Sequence, residues 1–204
     1  LKIPGIIVVI GAIISAVTAY LMSGVYSGLF SAAAGEGMAS VMGAFSALSA
    51  FFAFLILWWI IFAGIFYLLS MAFAGNGTFR RTLEFTGDGL VPVIIGLIIS
   101  AIVSLYYIPL VEVPVISNIQ DPAAVQRFMS DILTDPAFRE FTRISAVISV
   151  IFLAWSANLW IFGIRHARNL TVRNAAIVVL IPVAIFAIYT LYTAFVKMPF
   201  VGGP

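Results

Sequence analysis

The chain has 204 residues, 63% of them hydrophobic and 9% charged, with a mean hydropathy of +1.18 and a formal net charge of +2. Soluble domains carry roughly a quarter charged residues, so a water-soluble fold is excluded, and at about 20 to 25 residues per crossing the spans and their turns consume nearly the whole length, leaving none for a separate soluble catalytic domain. The basic residues are scattered between apolar stretches rather than gathered on one face, which argues against nucleic acid, and a chain without cysteine has no disulfides, thiol catalysis or thiolate metal site.

The elements follow in chain order. Lys2 precedes an apolar stretch far longer than a signal-peptide core, with no cleavage site, so residues 4–30 are expected to form a true first span with Pro4 in its first turn. Gly35-Glu36-Gly37 breaks the pattern, and residues 44–73 make a second span that ends at Gly75-Asn76-Gly77. A short segment with Arg80, Arg81, Glu84 and Asp88 leads into a third span, residues 90–111. Phe79 and Leu83 share one face there while Arg80 and Glu84 stand four apart, which predicts a short helix over 78–86 with one surface ion pair.

The longest connection has structure of its own. Asp121-Pro122 is an N-cap followed by proline at the first helical position, and Val125, Phe128, Met129, Ile132 and Leu133 fall on one face. Residues 122–134 are therefore expected to form an amphipathic helix on the bundle or in the headgroup layer. Asp135-Pro136 repeats the start signal before a fourth span, 138–164, and a fifth follows over 172–196 with Pro182 as an expected kink. The fold class is all-α: one transmembrane domain over residues 1–204, a bundle of five spans with a short outer amphipathic helix.

Orientation follows from the short loops. With the N-terminus cytoplasmic, Lys2, Arg80, Arg81, Arg165, Arg168 and Arg173 lie inside, against Glu84 and Asp88. Arg127, Arg139, Arg143 and Lys197 then lie outside, among Glu36, Glu112, Asp121, Asp131, Asp135 and Glu140. The Arg80-Arg81 pair and the Arg165/Arg168/Arg173 cluster sit in short turns, where the positive-inside rule acts best, so the expectation is N-inside and C-outside.

Span one carries Ser15, Ala19, Ser23 and Ser27 at four-residue spacing, with Gly24 and Gly28 one residue along. Such a stripe admits another helix at short range, inside the protomer on the simplest reading and between copies of the chain on the other. Asn158 is the polar amide in the middle of span four, expected to make one interhelical hydrogen bond with Trp155 and Trp160 packed around it. No span has an ionisable residue near its centre, which weighs against ion-coupled transport.

Catalytic and metal patterns fail on their own terms. Thr86-Gly87-Asp88-Gly89 lacks the first glycine of the intramembrane aspartyl protease pattern, where Phe85 stands, and no second span supplies the partner carboxylate. His166 is the only histidine, and without clustered carboxylates it is not a metal site. Asn76-Gly77-Thr78 and Asn169-Leu170-Thr171 match a glycosylation pattern but fall on the expected inner side. No cofactor is expected. Arg80, Arg81, Arg165, His166, Arg168 and Arg173 are then candidates for contact with anionic headgroups or with a protein partner on the cytoplasmic face.

These same turns carry a resemblance. The Gly-rich stop before Thr78-Phe79-Arg80-Arg81-Thr82-Leu83, with Gly87 and Pro92 opening span three, is similar to the Yip domain family. So is the run from Trp155 through Gly163-Ile164-Arg165-His166 to Asn174-Ala175-Ala176. That family comprises five-span membrane proteins named for interaction with Ypt/Rab small GTPases. The acidic Asp-Leu-Tyr-Gly-Pro type motif of eukaryotic members does not occur, so the resemblance implies a prokaryotic member, in a plasma membrane, without an implied GTPase. The leading expectation is a non-enzymatic scaffold or trafficking-type factor working through helix packing, cytoplasmic turns and membrane partners. The alternative is a channel or permease for a small or apolar solute, its path lined by Ser, Gly and Asn158.

Overall fold

The computed structural model describes residues 1–27, 31, 36–114, 116 and 120–197, with the backbone alone at Glu36 and Lys197. Helix α1 (Lys2–Ser23) tightens into a 3-10 turn at Gly24–Tyr26. Helix α2 (Glu36–Ala53) passes through a π-helical stretch (Phe54–Ile61) into α3 (Phe62–Met71) as one rod. After α4 (Phe79–Asp88) and α5 (Val91–Tyr107) come α6 (Pro122–Thr134), α7 (Pro136–Arg168) and α8 (Val172–Tyr192). Five continuous helical stretches are long and apolar enough to cross a membrane: Lys2–Tyr26, Gly37–Met71, Phe79–Leu110, Pro136–Arg168 and Val172–Val196. The end of the first expected span and Gly28 lie outside the described residues.

Several boundaries differ from the sequence expectation by a few residues, and two of the starts have a local reason. The second rod starts before residue 44 because Gly43 does not break it. This glycine is buried, and a Cβ there would stand 2.9 Å from the Ser23 hydroxyl and 3.1 Å from the Tyr20 ring, so its bareness serves close approach of α2 to α1. The fourth rod starts at Pro136 because the Asp135 carboxylate accepts from the Phe138 amide at 2.9 Å and caps the helix there.

Aromatic rings fill the centre. Trp58 stacks on Phe62 at 5.2 Å between centroids, Phe62 and Phe66 lie 5.7 and 5.5 Å from Trp160, and Phe186 meets Trp58 at 4.9 Å. Val8, Leu90, Ile164 and Val178 close around them with no exposed surface. A smaller cluster of Val25, Val111, Phe128, Ile132 and Phe138 lies under α6, whose Asp121 cap accepts from the Ala123 amide at 3.0 Å. The expected amphipathic face is thus seated on the bundle, while Gln126 and Arg127 are exposed. Ile6, Ile102, Ile151 and Ile188 project outward on all sides, as hydrocarbon rather than water requires.

Candidate functional site

One end of the bundle gathers the start of α1, the 72–78 turn, α4 and the α7–α8 turn. Thr78 caps α4, its hydroxyl accepting from the Arg81 amide at 3.4 Å, and Arg80 pairs with Glu84 at 3.4 Å one turn on. The carbonyls near the far end of α4 are met by two indoles from other spans. Trp59 Nε1 donates to the Leu83 carbonyl at 2.8 Å, and Trp160 Nε1 donates to the Thr86 carbonyl at 2.9 Å. Gly87 and Gly89 are bare because those indoles lie against them. A Cβ on Gly87 would stand 2.8 Å from Pro4 and 3.0 Å from Trp59, and one on Gly89 would collide with the Trp160 ring. The Thr86-Gly87-Asp88-Gly89 segment is thereby a docking surface for tryptophans, with Asp88 turned outward.

The α7–α8 turn locks onto this end through Arg168. Asn169 adopts the left-handed conformation (φ 52°, ψ 42°) that ends α7, and the Leu170 amide donates back to the Arg165 carbonyl at 3.0 Å. The Arg168 side chain is 2% exposed. Its guanidinium donates to the Ser70 hydroxyl at 2.7 Å, to the Gly75 carbonyl at 2.7 Å and to the Gly77 carbonyl, and its carbon lies 4.3 Å from the Tyr67 ring centroid. The Asn76 amide donates to the Arg168 carbonyl at 2.9 Å, so backbone joins backbone as well. A planar cation with fixed donors suits three acceptors and a ring face at once, which a lysine ammonium on a flexible stem does not match. Gly77, at φ 148°, backs directly onto the Ala167 carbonyl and leaves no space for a Cβ.

This corrects the reading of Arg168 as a candidate headgroup or partner contact. The buried face of α7 runs through Trp160, Gly163, Ile164 and Ala167 to Arg168, whereas Arg165 and His166 turn outward. Arg168 stands four residues past buried Ile164, and that helical spacing was the available signal. The other candidates, Arg80, Arg81, Arg165, His166 and Arg173, are all exposed around the same end.

Asn158 is a second correction. It faces away from the bundle, exposed beside Ile151, Trp155 and Phe162, and has no hydrogen-bond partner among the described residues. Trp160, two residues on, points the opposite way and spends its N–H on Thr86, so it cannot pack around Asn158. In span one, Ser15, Ala19, Ser23 and Ser27 are half-buried, whereas Gly24 is exposed with nothing within 4 Å of its would-be Cβ. Gly24 therefore does not belong to the close contact. Among the described residues, no group of three or more His, Asp or Glu is placed to hold a metal ion.

Five apolar crossings knit at one end by buried polar contacts define an integral, multi-pass α-helical membrane protein. The model of the Yip1 domain matches residues 1–193, and the chain belongs to that family. It is 36% identical over 106 residues to the uncharacterized protein MJ0794 of Methanocaldococcus jannaschii, an alignment covering 52% of this chain and 74% of the archaeal protein. That similarity agrees with a prokaryotic member. No solved structure matches the chain.

Proposed function

We propose that the protein is a non-enzymatic membrane scaffold whose clasped end, on the cytoplasmic side of a prokaryotic plasma membrane, presents a cationic rim to anionic lipid headgroups and to a protein partner. The observation that carries this reading is the division of labour among the basic residues. Arg168 is consumed in joining the two turns, and Arg80, Arg81, Arg165, His166 and Arg173 are left exposed on the resulting platform. Basic residues close to an anionic surface gain about 1 kcal/mol each, so several on one rigid rim act together. The permease alternative is not favoured: Asn158, the amide meant to line its path, lies on the outside, and rings occupy the bundle centre.

The test is capture from native membranes with lipids retained, comparing the wild type with an Arg81→Gln/Arg165→Gln/Arg173→Gln variant. The expected result is loss of co-purifying anionic lipid or of a partner protein, without loss of thermal stability. Equal retention by both proteins overturns the reading. Orientation is checked separately in this Cys-free chain: a cysteine at position 169 should resist an impermeant thiol reagent applied to intact cells, and one at position 126 should react.

A further inference from the structure

The arginines of this chain divide by what meets their charge. Arg168 is matched by a hydroxyl and two carbonyls, Arg80 pairs with Glu84 at 3.4 Å, and Arg127 lies 3.7 Å from the Asp121 carboxylate. Arg81, Arg165 and Arg173 are exposed, and water serves them. Arg139 and Arg143 fit neither pattern. Both are half-buried, each has its Nε enclosed without a hydrogen-bond partner, and no carboxylate among the described residues pairs with either. Asp135, four residues before Arg139, spends its carboxylate on the Phe138 and Glu112 amides at 2.9 and 3.3 Å, and Glu112 and Glu140 are exposed. The buried hydroxyls of Ser100, Ser145 and Ser156 also lack partners, but a neutral hydroxyl can turn onto a carbonyl of its own helix, whereas an arginine cannot shed its charge.

The two side chains stand one turn apart on the same face of α7, about 5 to 6 Å between Cβ atoms, where like charges repel. Enclosure of Nε holds each stem in place, while the terminal Nη groups remain at the surface with their donors unused. Arg143 is held further by Phe195, its guanidinium carbon 5.6 Å from the ring centroid, a contact that occupies the face of the plane and none of its N–H edge. A planar fork with free edge donors matches the oxygens of a phosphate. Depth points to the same ligand. Arg143 and Arg165 bracket the apolar part of α7 about 33 Å apart at 1.5 Å per residue, close to the thickness of a hydrocarbon core, so Arg143 lies at the headgroup level and Arg139 about 6 Å beyond it.

We propose that Arg139 and Arg143 form a phosphate-binding site on the membrane face opposite the clasped end, filled by the phosphate of a phospholipid headgroup. A phosphate set against both forks relieves the repulsion between them and supplies the acceptors that the chain itself does not. The site is independent of the cationic rim, since Arg139 and Arg168 lie at opposite ends of α7. The rim offers exposed side chains to many headgroups, whereas this pair is held in place and takes one phosphate.

The test titrates short-chain phosphatidylglycerol, and inorganic phosphate in parallel, against the full chain purified in a neutral detergent, with bound lipid read by native mass measurement. The wild type should hold one lipid, and Arg139→Gln/Arg143→Gln should bind it about tenfold more weakly. Arg81→Gln/Arg165→Gln/Arg173→Gln should still hold it, which distinguishes failure of this site from failure of the rim. Arg139→Lys/Arg143→Lys keeps both charges and stems, so it folds as the wild type does, and it should bind more weakly because an ammonium lacks the fork. Equal binding by the wild type and both substituted pairs, or loss in the rim variant alone, overturns the proposal. Inorganic phosphate binding as tightly as the lipid overturns the headgroup as the source in favour of a free ion.

Discussion

The two ends of the bundle are closed by different physics. At the clasped end, Trp59, Trp160 and Arg168 reach across 24 to 98 residues of sequence to carbonyls and a hydroxyl on other elements. Those bonds are directional and wholly or partly buried, so they admit one arrangement. At the opposite end, α6 rests on the bundle through Phe128 and Ile132, and the Glu112 amide of the preceding segment donates to the Asp135 carboxylate at 3.3 Å. An apolar seat is adhesive but tolerant of small displacement. The platform that presents the cationic rim is thus the end whose geometry is fixed by bonds.

The largest test of this contrast is Arg168→Ala. It takes a donor away from the Ser70 hydroxyl and from the Gly75 and Gly77 carbonyls and empties the space over Tyr67, at a cost of about 3 kcal/mol. Arg168→Lys should rescue little, since an ammonium cannot span the same acceptors. Arg165→Ala, three residues away and exposed, should stay within about 0.5 kcal/mol. Thermal unfolding in detergent of the three variants checks the series. Equal effects of Arg168→Ala and Arg165→Ala would remove the clasp from the account.

Gly77→Ala is the next largest. Its φ of 148° is a conformation that a Cβ resists, and the Ala167 carbonyl is backbone that cannot swing aside. The expected cost is about 3 kcal/mol, most of it as parting of the two turns. Protease sensitivity at 72–78 should rise together with that at 169–171 if the turns are one unit. A rise at one turn alone would separate them.

At the other end, Phe128→Asp places a charge in a site that is 3% exposed and should cost about 2 to 3 kcal/mol, while Gln126→Ala should be nearly silent. The contrast predicts where the damage appears. Hydrogen exchange should accelerate over 122–134 with protection at the clasped end retained, as expected of a locally opening unit. Acceleration at both ends would mean that α6 is as tightly coupled as the clasp.

The crossings, the α6 face and the short α4 helix were legible because each is written locally, in hydropathy, in helical spacing and in Asp-Pro starts. The site was legible only in part. The sequence places Arg165, His166 and Arg168 in one basic run, and only the buried stripe of Trp160 and Ile164 on the same helix distinguishes Arg168 from the others. Gly87 and Gly89 read as a loose motif because the Trp59 and Trp160 rings that require them are distant in sequence. Asn158 failed for the opposite reason. Its polarity points to a partner inside the bundle, yet the helical phase set by Trp160 turns it outward.

The smallest expected effect separates two neighbours on α1. Ser23 stands against Gly43 of α2, where a missing side chain lets the helices approach and gain dispersion contacts. Its hydroxyl donates to the Tyr20 carbonyl at 2.7 Å, so the serine satisfies itself on its own helix and offers little bulk to the partner. Leucine at this position must push α2 away or adopt a strained rotamer, at a cost of about 1 to 3 kcal/mol. Gly24 has nothing within 4 Å, and Gly24→Leu should stay within about 0.5 kcal/mol, or gain slightly from improved helix propensity. Thermal unfolding of the two variants, with native mass measurements of oligomer size, reads the difference. If Ser23→Leu leaves the protomer as stable as the wild type but changes its oligomer size, the stripe of α1 is a contact between copies rather than the seam between α1 and α2.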